Sequence, residues 1–171
     1  RILPTKILGS SNGLLVILYF ISYNQSYVMK KIIDIRLFYM INKNSLNLLK
    51  IHNKKCYLVT DGNKCVQRYK IKKLQIKKYF KKIFITNEYG IKFQKPSLHC
   101  FKKIKKIEKC DFKDMVYIGD NPNKDFVNCN EAGIMTVRLL KGEFKNIKKK
   151  YPYDAKVKIY KLSEIKKIFK L

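Results

Sequence analysis

Three short stretches place reactive side-chain types beside residues that turn the backbone. Thr60-Asp61-Gly62-Asn63 follows the apolar run at residues 56–59. A hydroxyl at the end of a strand, followed by glycine-permitted backbone amides at a helix start, can hold the oxygens of a phosphate. Thr60, Asp61, Gly62 and Asn63 are therefore candidate phosphate-binding residues. Lys95-Pro96 precedes a helical pattern. A lysine brought to the same point neutralises a phosphate and any anionic nucleophile beside it. Asp120 and Asp125 lie five residues apart across Asn121-Pro122-Asn123-Lys124. Both carboxylates can face one strand edge, with hard oxygen ligands suited to Mg2+, and a helix dipole favours an acid near its start. Each has a plainer use: Thr60 as a capping residue, Lys95 as one lysine among many, Asp120 and Asp125 in turns and caps. Conjunction favours a site, in a chain with only 12 acidic residues.

Bringing these positions together is work for a parallel sheet, whose ligands bind at the carboxyl ends of the strands. Residues 56–60, 83–86, 115–118 and 134–139 read as buried strands, with a weaker one at 156–160. Helical patterns fall between them at 64–74, 97–110 and 123–131, the last closed by Ala132-Gly133. In the second helix Leu98, Phe101, Ile104 and Ile107 mark the apolar face. Ser163 can cap a final helix over 164–169. Strand and helix in alternation predict an α/β fold, a Rossmann-like parallel sheet with helices on both faces. The first fifty residues are harder to read. Leu14–Ile21 and Ile32–Ile41 fit strand or helix, and Ser45 can cap a short helix to Lys50.

At 46% hydrophobic and 13% aromatic the chain can bury an ordinary core, which excludes global disorder. Its length fits one domain. Lys and Arg number 39 against 12 acids, a formal net charge of +27. Such a charge ordinarily points to nucleic acid or an anionic membrane. However, only Arg1, Arg36, Arg68 and Arg138 are arginine. Lys, Ile, Asn and Tyr share A/T-rich codons, so base-composition drift accounts for much of the charge. Readers of nucleic acid that use fork geometry favour Arg, and the lysines are spread over several helices. Nucleic acid is not the expected partner.

The apolar run Leu14–Ile21 is shorter than the roughly 20 residues a membrane span needs, and no small-x-small cleavage site follows it. A buried strand or the apolar side of a core helix is expected there, and no membrane association. Cys56, Cys65, Cys100, Cys110 and Cys129 form no CxxC pair. They read as reduced thiols of a cytoplasmic protein, several of them buried. The chain opens on Arg1 rather than Met, which points to a fragment or a trimmed product.

Four stretches together carry a resemblance. VTDGN (Val59–Asn63), FQKP (Phe93–Pro96), YIGDNPNKDF (Tyr117–Phe126) and NEAGIMTVRL (Asn130–Leu139) resemble, in order and spacing, the second to fourth motifs of the haloacid dehalogenase (HAD) superfamily. Most members are Mg2+-dependent phosphohydrolases. The resemblance covers residues 45–171 and implies a HAD-like core domain there. Residues 1–44 would then be the remnant of a small helical cap or a degenerate N-terminal segment. It further implies that Thr60 hydrogen-bonds the transferring phosphoryl group and that Lys95 offsets charge on phosphate and nucleophile. Asp120 would ligate Mg2+, and Asp125 would ligate or orient it.

The family's first motif, a strand ending in Asp-x-Asp, has no counterpart: the earliest acid is Asp34, in no such context. That motif supplies the attacking carboxylate, and its strand would be the middle of the sheet. Leu14–Ile21 is the one segment apolar enough to fill the gap. The expected function is a phosphatase of a small phosphorylated metabolite by descent, without turnover in this chain. Two other readings stand beside it: a non-catalytic domain binding a phosphorylated ligand or a partner, and a basic nucleic-acid-binding module.

Overall fold

The computed structural model describes residues 15–18, 31–32 and 56–165. Its centre is a seven-stranded sheet. β1 is Leu15–Leu18, β2 Lys31–Ile32, β3 Cys56–Thr60, β4 Lys82–Ile85, β5 Val116–Gly119, β6 Met135–Leu139 and β7 Val157–Ile159. Helix α1 (Lys64–Lys73) follows β3, α2 (His99–Glu108) leads toward β5, and α3 (Val127–Glu131) connects β5 to β6. Every residue of β3 and of β5 is buried, as strands covered on both faces require. Tyr57, Phe84, Phe101, Ile104, Tyr117, Phe126 and Ile134 anchor one continuous core. Phe101 meets the Tyr117 ring edge-on at 5.1 Å, tying α2 to β5.

The sheet runs β4, β3, then β5, β6, β7, all parallel, with β1 and β2 sharing the place between β3 and β5. β2 fills the lower half, parallel to both neighbours, with Ile32 opposite Tyr57 and Tyr117. β1 fills the upper half and runs antiparallel, with Leu15 opposite Thr60 and Ile17 opposite Leu58 and Ile118. Part of the apolar run Leu14–Ile21 thus is a strand of the central sheet. The expected helix at 45–50 and residues 166–169 lie outside the described residues, and Ser163 does not cap a helix at 164 but sits inside a 3-10 turn over Leu162–Glu164 whose N-cap is Lys161. Among these, no helix is long and apolar enough to cross a membrane.

Several boundaries differ from the sequence expectation, each for a local reason. Thr86 leaves β4 for a short 3-10 turn, because its hydroxyl donates to Asp61. α2 starts at His99 rather than Ser97; the Ser97 hydroxyl instead accepts from the His99 amide. Ile107 on α2 is exposed, and Cys100 takes the buried place beside Phe101 and Ile104. α3 is confined to Val127–Glu131, because residues 121–125 fold as a turn around the Asp125 carboxylate. Gly133 ends α3 with φ 82°, a conformation that favours glycine.

A buried ion pair fixes the far side of the sheet. Arg138 on β6 donates from Nη1 to both Asp154 oxygens, at 2.9 and 3.0 Å. Its Nη2 donates to the carbonyls of Phe144 and Ile147. Asp154 also accepts from the Ala155 amide and the Lys158 ammonium. Burial raises the Asp154 pKa, but these hydrogen bonds outweigh it and hold the carboxyl below its ordinary value. Arg138→Met should cost about 3–5 kcal/mol, since it strands a buried carboxylate. Because the folded pKa is depressed, the stabilisation is complete above about pH 4 and is lost as pH falls through the folded value. Urea unfolding at stepped pH should show the gap between the natural chain and Asp154→Asn narrowing below about pH 4.

Candidate functional site

β3 and β5, on either side of β1, end at the same edge of the sheet at Thr60 and Gly119, and three connections meet at that edge. The first is the turn after β3. Gly62 there has φ 121°, outside the range comfortable for other residues. Asn63 is the N-cap of α1: its Oδ1 accepts from the amides of Cys65 (2.9 Å) and Val66 (3.4 Å). Gln67, buried one turn along α1, donates from Nε2 to the Asp61 carbonyl at 3.0 Å. The Thr60 hydroxyl also faces that carbonyl, at 3.3 Å.

The second connection carries the chain from β4 to α2 and delivers Lys95. The third is the loop after β5, which carries Asp120 and Asp125. Lys95 Nζ lies 2.9 Å from Asp125 Oδ1, with both side chains almost wholly out of water (1% and 0% exposed). The other Asp125 oxygen accepts from the amides of Asn121 (2.9 Å) and Asp120 (3.3 Å). Gly119 makes room for this arrangement: a Cβ there would fall 2.6 Å from Asp125 Oδ2. Asp120 is buried at the same edge, 1% exposed.

Asp61 ties the three connections together. Its Oδ1 accepts from the Thr86 hydroxyl at 2.7 Å and the Lys95 amide at 3.2 Å, while Oδ2 meets Lys124 Nζ at 3.1 Å. Burial raises the Asp61 pKa, but the charges of Lys95 and Lys124 and the two hydrogen bonds outweigh it and bring the carboxyl below its ordinary value. Burial, with Asp61 as the nearby anion, pushes the Cys100 thiol up to about 12, so it stays protonated.

The geometry therefore brings Lys95, Asp120, Asp125 and Asp61 into one network beside Thr60. It also redistributes expected roles. Asp61 and Asn63 turn their side chains to ion pairing and helix capping, so at those positions the backbone is what remains for a phosphate. Four contributors have no role in the sequence reading: Gln67, and Thr86, Gly119 and Lys124 at or after the strand ends. Lys124 has a visible signal, a cation adjoining Asp125 in a loop otherwise rich in Asn. Thr86 has one too, a hydroxyl at the end of a strand.

Asp120 offers hard carboxylate oxygens at the strand end. Asp125 has both oxygens engaged by Lys95 and backbone amides, the arrangement of an orienting residue. Among the described residues, no three His, Cys, Asp or Glu side chains gather as a metal cluster. These residues alone do not complete a magnesium site.

The Lys95–Asp125 pair and the tight approach at Gly119 give a direct test. Lys95→Met and Asp125→Asn should each cost about 3–5 kcal/mol, with the double variant losing less than the sum. Gly119→Ala should cost about 1–3 kcal/mol by pushing Asp125 off its amides. Urea denaturation of the four variants measures all of these.

Comparison with known proteins places this edge in context. Curated relatives include proteins named glyceraldehyde 3-phosphate phosphatase from archaea. One from Methanocaldococcus jannaschii is 34% identical over 99 residues, 58% of this chain and 42% of the relative. Another from Pyrococcus abyssi is 29% identical over 111 residues, 65% of this chain and 46% of the relative. The chain thus spans less than half the length of these relatives. Among solved structures, a HAD-hydrolase from Bacillus subtilis bound to magnesium superposes with a TM-score of 0.62 at 23% identity, covering 76% of this chain and 56% of that one. A HAD phosphatase from Thermococcus onnurineus gives 0.50 at 23% identity, over 63% of this chain and 46% of that one. These two likenesses establish the fold. The family model for haloacid dehalogenase-like hydrolases matches residues 19–139. That match runs from β2 through β6 and takes in each of the three connections, so the chain belongs to the haloacid dehalogenase-like hydrolase family.

Proposed function

We propose that the chain carries the phosphate-holding part of a HAD-type phosphohydrolase for a small phosphorylated metabolite, and that alone it hydrolyses phosphomonoesters negligibly. The observation that carries this reading is the meeting of Lys95, Asp120 and Asp125 beside Thr60 at one sheet edge. In it, the Thr60 hydroxyl and the backbone after it hold phosphate oxygens, and Lys95 offsets their charge. Asp125 fixes Lys95 and the β5 loop. Asp120 is the side chain that faces a divalent cation, which would neutralise phosphate charge when bound. The names of the archaeal relatives support a substrate of triose-phosphate size. Five thiols outside any disulfide fit a reducing cytoplasm.

Negligible turnover follows from the missing nucleophile. In-line attack needs an anionic oxygen held opposite the leaving group. No Asp-x-Asp occurs in the 171 residues. Thr60 is neutral, Lys95 is cationic, and both Asp125 oxygens are engaged. One observation favours a second reading, a non-catalytic binder of phosphorylated ligands: Leu15–Leu18, which stands beside Thr60, contains no acid.

Two measurements test the proposal. In a Mg2+-dependent assay on an aryl phosphate, turnover should stay at background; robust turnover abolished by Asp120→Asn would refute the claim of inactivity. In calorimetry with inorganic phosphate and Mg2+, Thr60→Val should weaken binding about tenfold, the worth of one charge-assisted hydrogen bond. Equal binding by the two proteins overturns the phosphate site.

A further inference from the structure

The outer flank of the sheet beyond β4 carries a feature that the phosphate site does not use. A groove of about 810 Å3 runs between α1 and β4. Ile71, Ile83 and Ile85 line it together with Arg68, Lys72, Lys77 and Lys78. Ile83 and Ile85 flank the buried Phe84 and so share one face of the strand. Among the described residues β4 pairs only with β3. Its other flank therefore presents backbone amides and carbonyls that no strand among the described residues meets, a template for one more strand. At one end the groove is bounded by an ion pair, Arg68 to Glu88 at 2.7 Å. Lys77 and Lys78, in the turn before β4, stand at the other end. Glu88 is the acid among the lining residues and is already paired, so the lining has an excess of positive charge.

We propose that this groove takes an acidic, extended peptide segment of a partner protein, added as a strand to the outer edge of β4. On the groove side of that strand, apolar side chains would cover the half-buried Ile71 and Ile83, and acidic side chains toward its ends would meet Lys72, Lys77 and Lys78. The charge pattern selects this occupant. A second copy of the chain would bring the same lysines face to face. A nucleic-acid backbone satisfies the lysines and leaves the half-buried isoleucines uncovered, whereas a strand with apolar and acidic side chains on its groove side satisfies both.

The test uses the whole 171-residue chain and a fluorescein-labelled peptide of about eight residues, the span of one ordinary strand, with Val or Ile at its central groove-facing positions and Asp or Glu at the outer ones. Anisotropy should rise to saturation, weaken with added salt, and weaken at least about tenfold for the double variant K77E/K78E. The same peptide with alternate amides N-methylated should not bind, because it lacks donors for the ladder. Equal binding by the methylated peptide overturns strand addition. Insensitivity to K77E/K78E overturns the location. An oligo-dT strand that displaces the peptide and binds more tightly overturns the choice of partner. Should K77E/K78E lack the circular dichroism of the natural chain, the methylated-peptide comparison, which needs no variant, decides.

Discussion

An ammonium and a carboxylate leave water together only if their remaining hydrogen-bonding capacity is met inside the protein. Lys95 and Asp125 are subject to that constraint, and it reaches well beyond the pair. It requires two backbone amides, of Asp120 and Asn121, to turn onto the free oxygen of Asp125. That turn shortens α3 to five residues and admits no side chain at position 119. The same constraint holds the lysine backbone, since the Lys95 amide donates to Asp61, itself a buried anion in need of donors. Two buried carboxylates thus organise the three connections that meet around Lys95. The β3 turn, the β4 exit and the β5 loop are held by charge rather than by apolar packing.

This economy of acids shapes what the edge can do. Two lysines, 95 and 124, stand against the formal charges of Asp61, Asp120 and Asp125. Asp61 and Asp125 already meet the lysines at 3.1 and 2.9 Å, so the edge as built has little positive charge left over for a phosphate dianion. Added positive charge is what a divalent cation at Asp120 would bring, and this is why an incomplete donor set matters more than the buried lysine. The acids that hold the structure, Asp61 and Asp125, are recognised by oxygens engaged with lysine, hydroxyl and amide.

The sheet and its site were legible in the sequence to different depths. Residues 56–60 read as a strand because five apolar or small residues are bounded by a turn, and the strand has those limits. The convergence of Lys95 with Asp120 and Asp125 was legible because a parallel sheet gathers its strand ends at one edge. The side-chain partners were not. Nothing in Thr-Asp-Gly-Asn says that the aspartate faces inward to Thr86 and Lys124, because both lie across the fold, 25 and 63 residues away. The length of α3 was also hidden, since Asn123 and Lys124 are compatible with a helix until Asp125 captures the amides before it. Arg138 was counted as one of four arginines against a sea of lysine. Its planar fork is what lets one residue hold Asp154 and two carbonyls at once.

The place between β3 and β5 shows how fold and chemistry separate. Both neighbours are buried along their whole length, so leaving that place open would expose apolar faces and unpaired backbone. Short segments can remedy this, and among the described residues the occupants are two: Lys31–Ile32 of β2 below, parallel, and the apolar β1 above, antiparallel. Direction is irrelevant to the ladder, which closes either way. It is decisive for a site at the carboxyl edge. A parallel strand would deliver there its last residue and the loop that follows, where parallel sheets carry their reactive groups. β1 delivers its first residue, Leu15, opposite Thr60. An antiparallel occupant therefore completes the sheet while presenting the wrong end of a strand to the turn after β3. Burial and hydrogen bonding, which reward any apolar strand in that place, exert no force toward restoring a carboxylate.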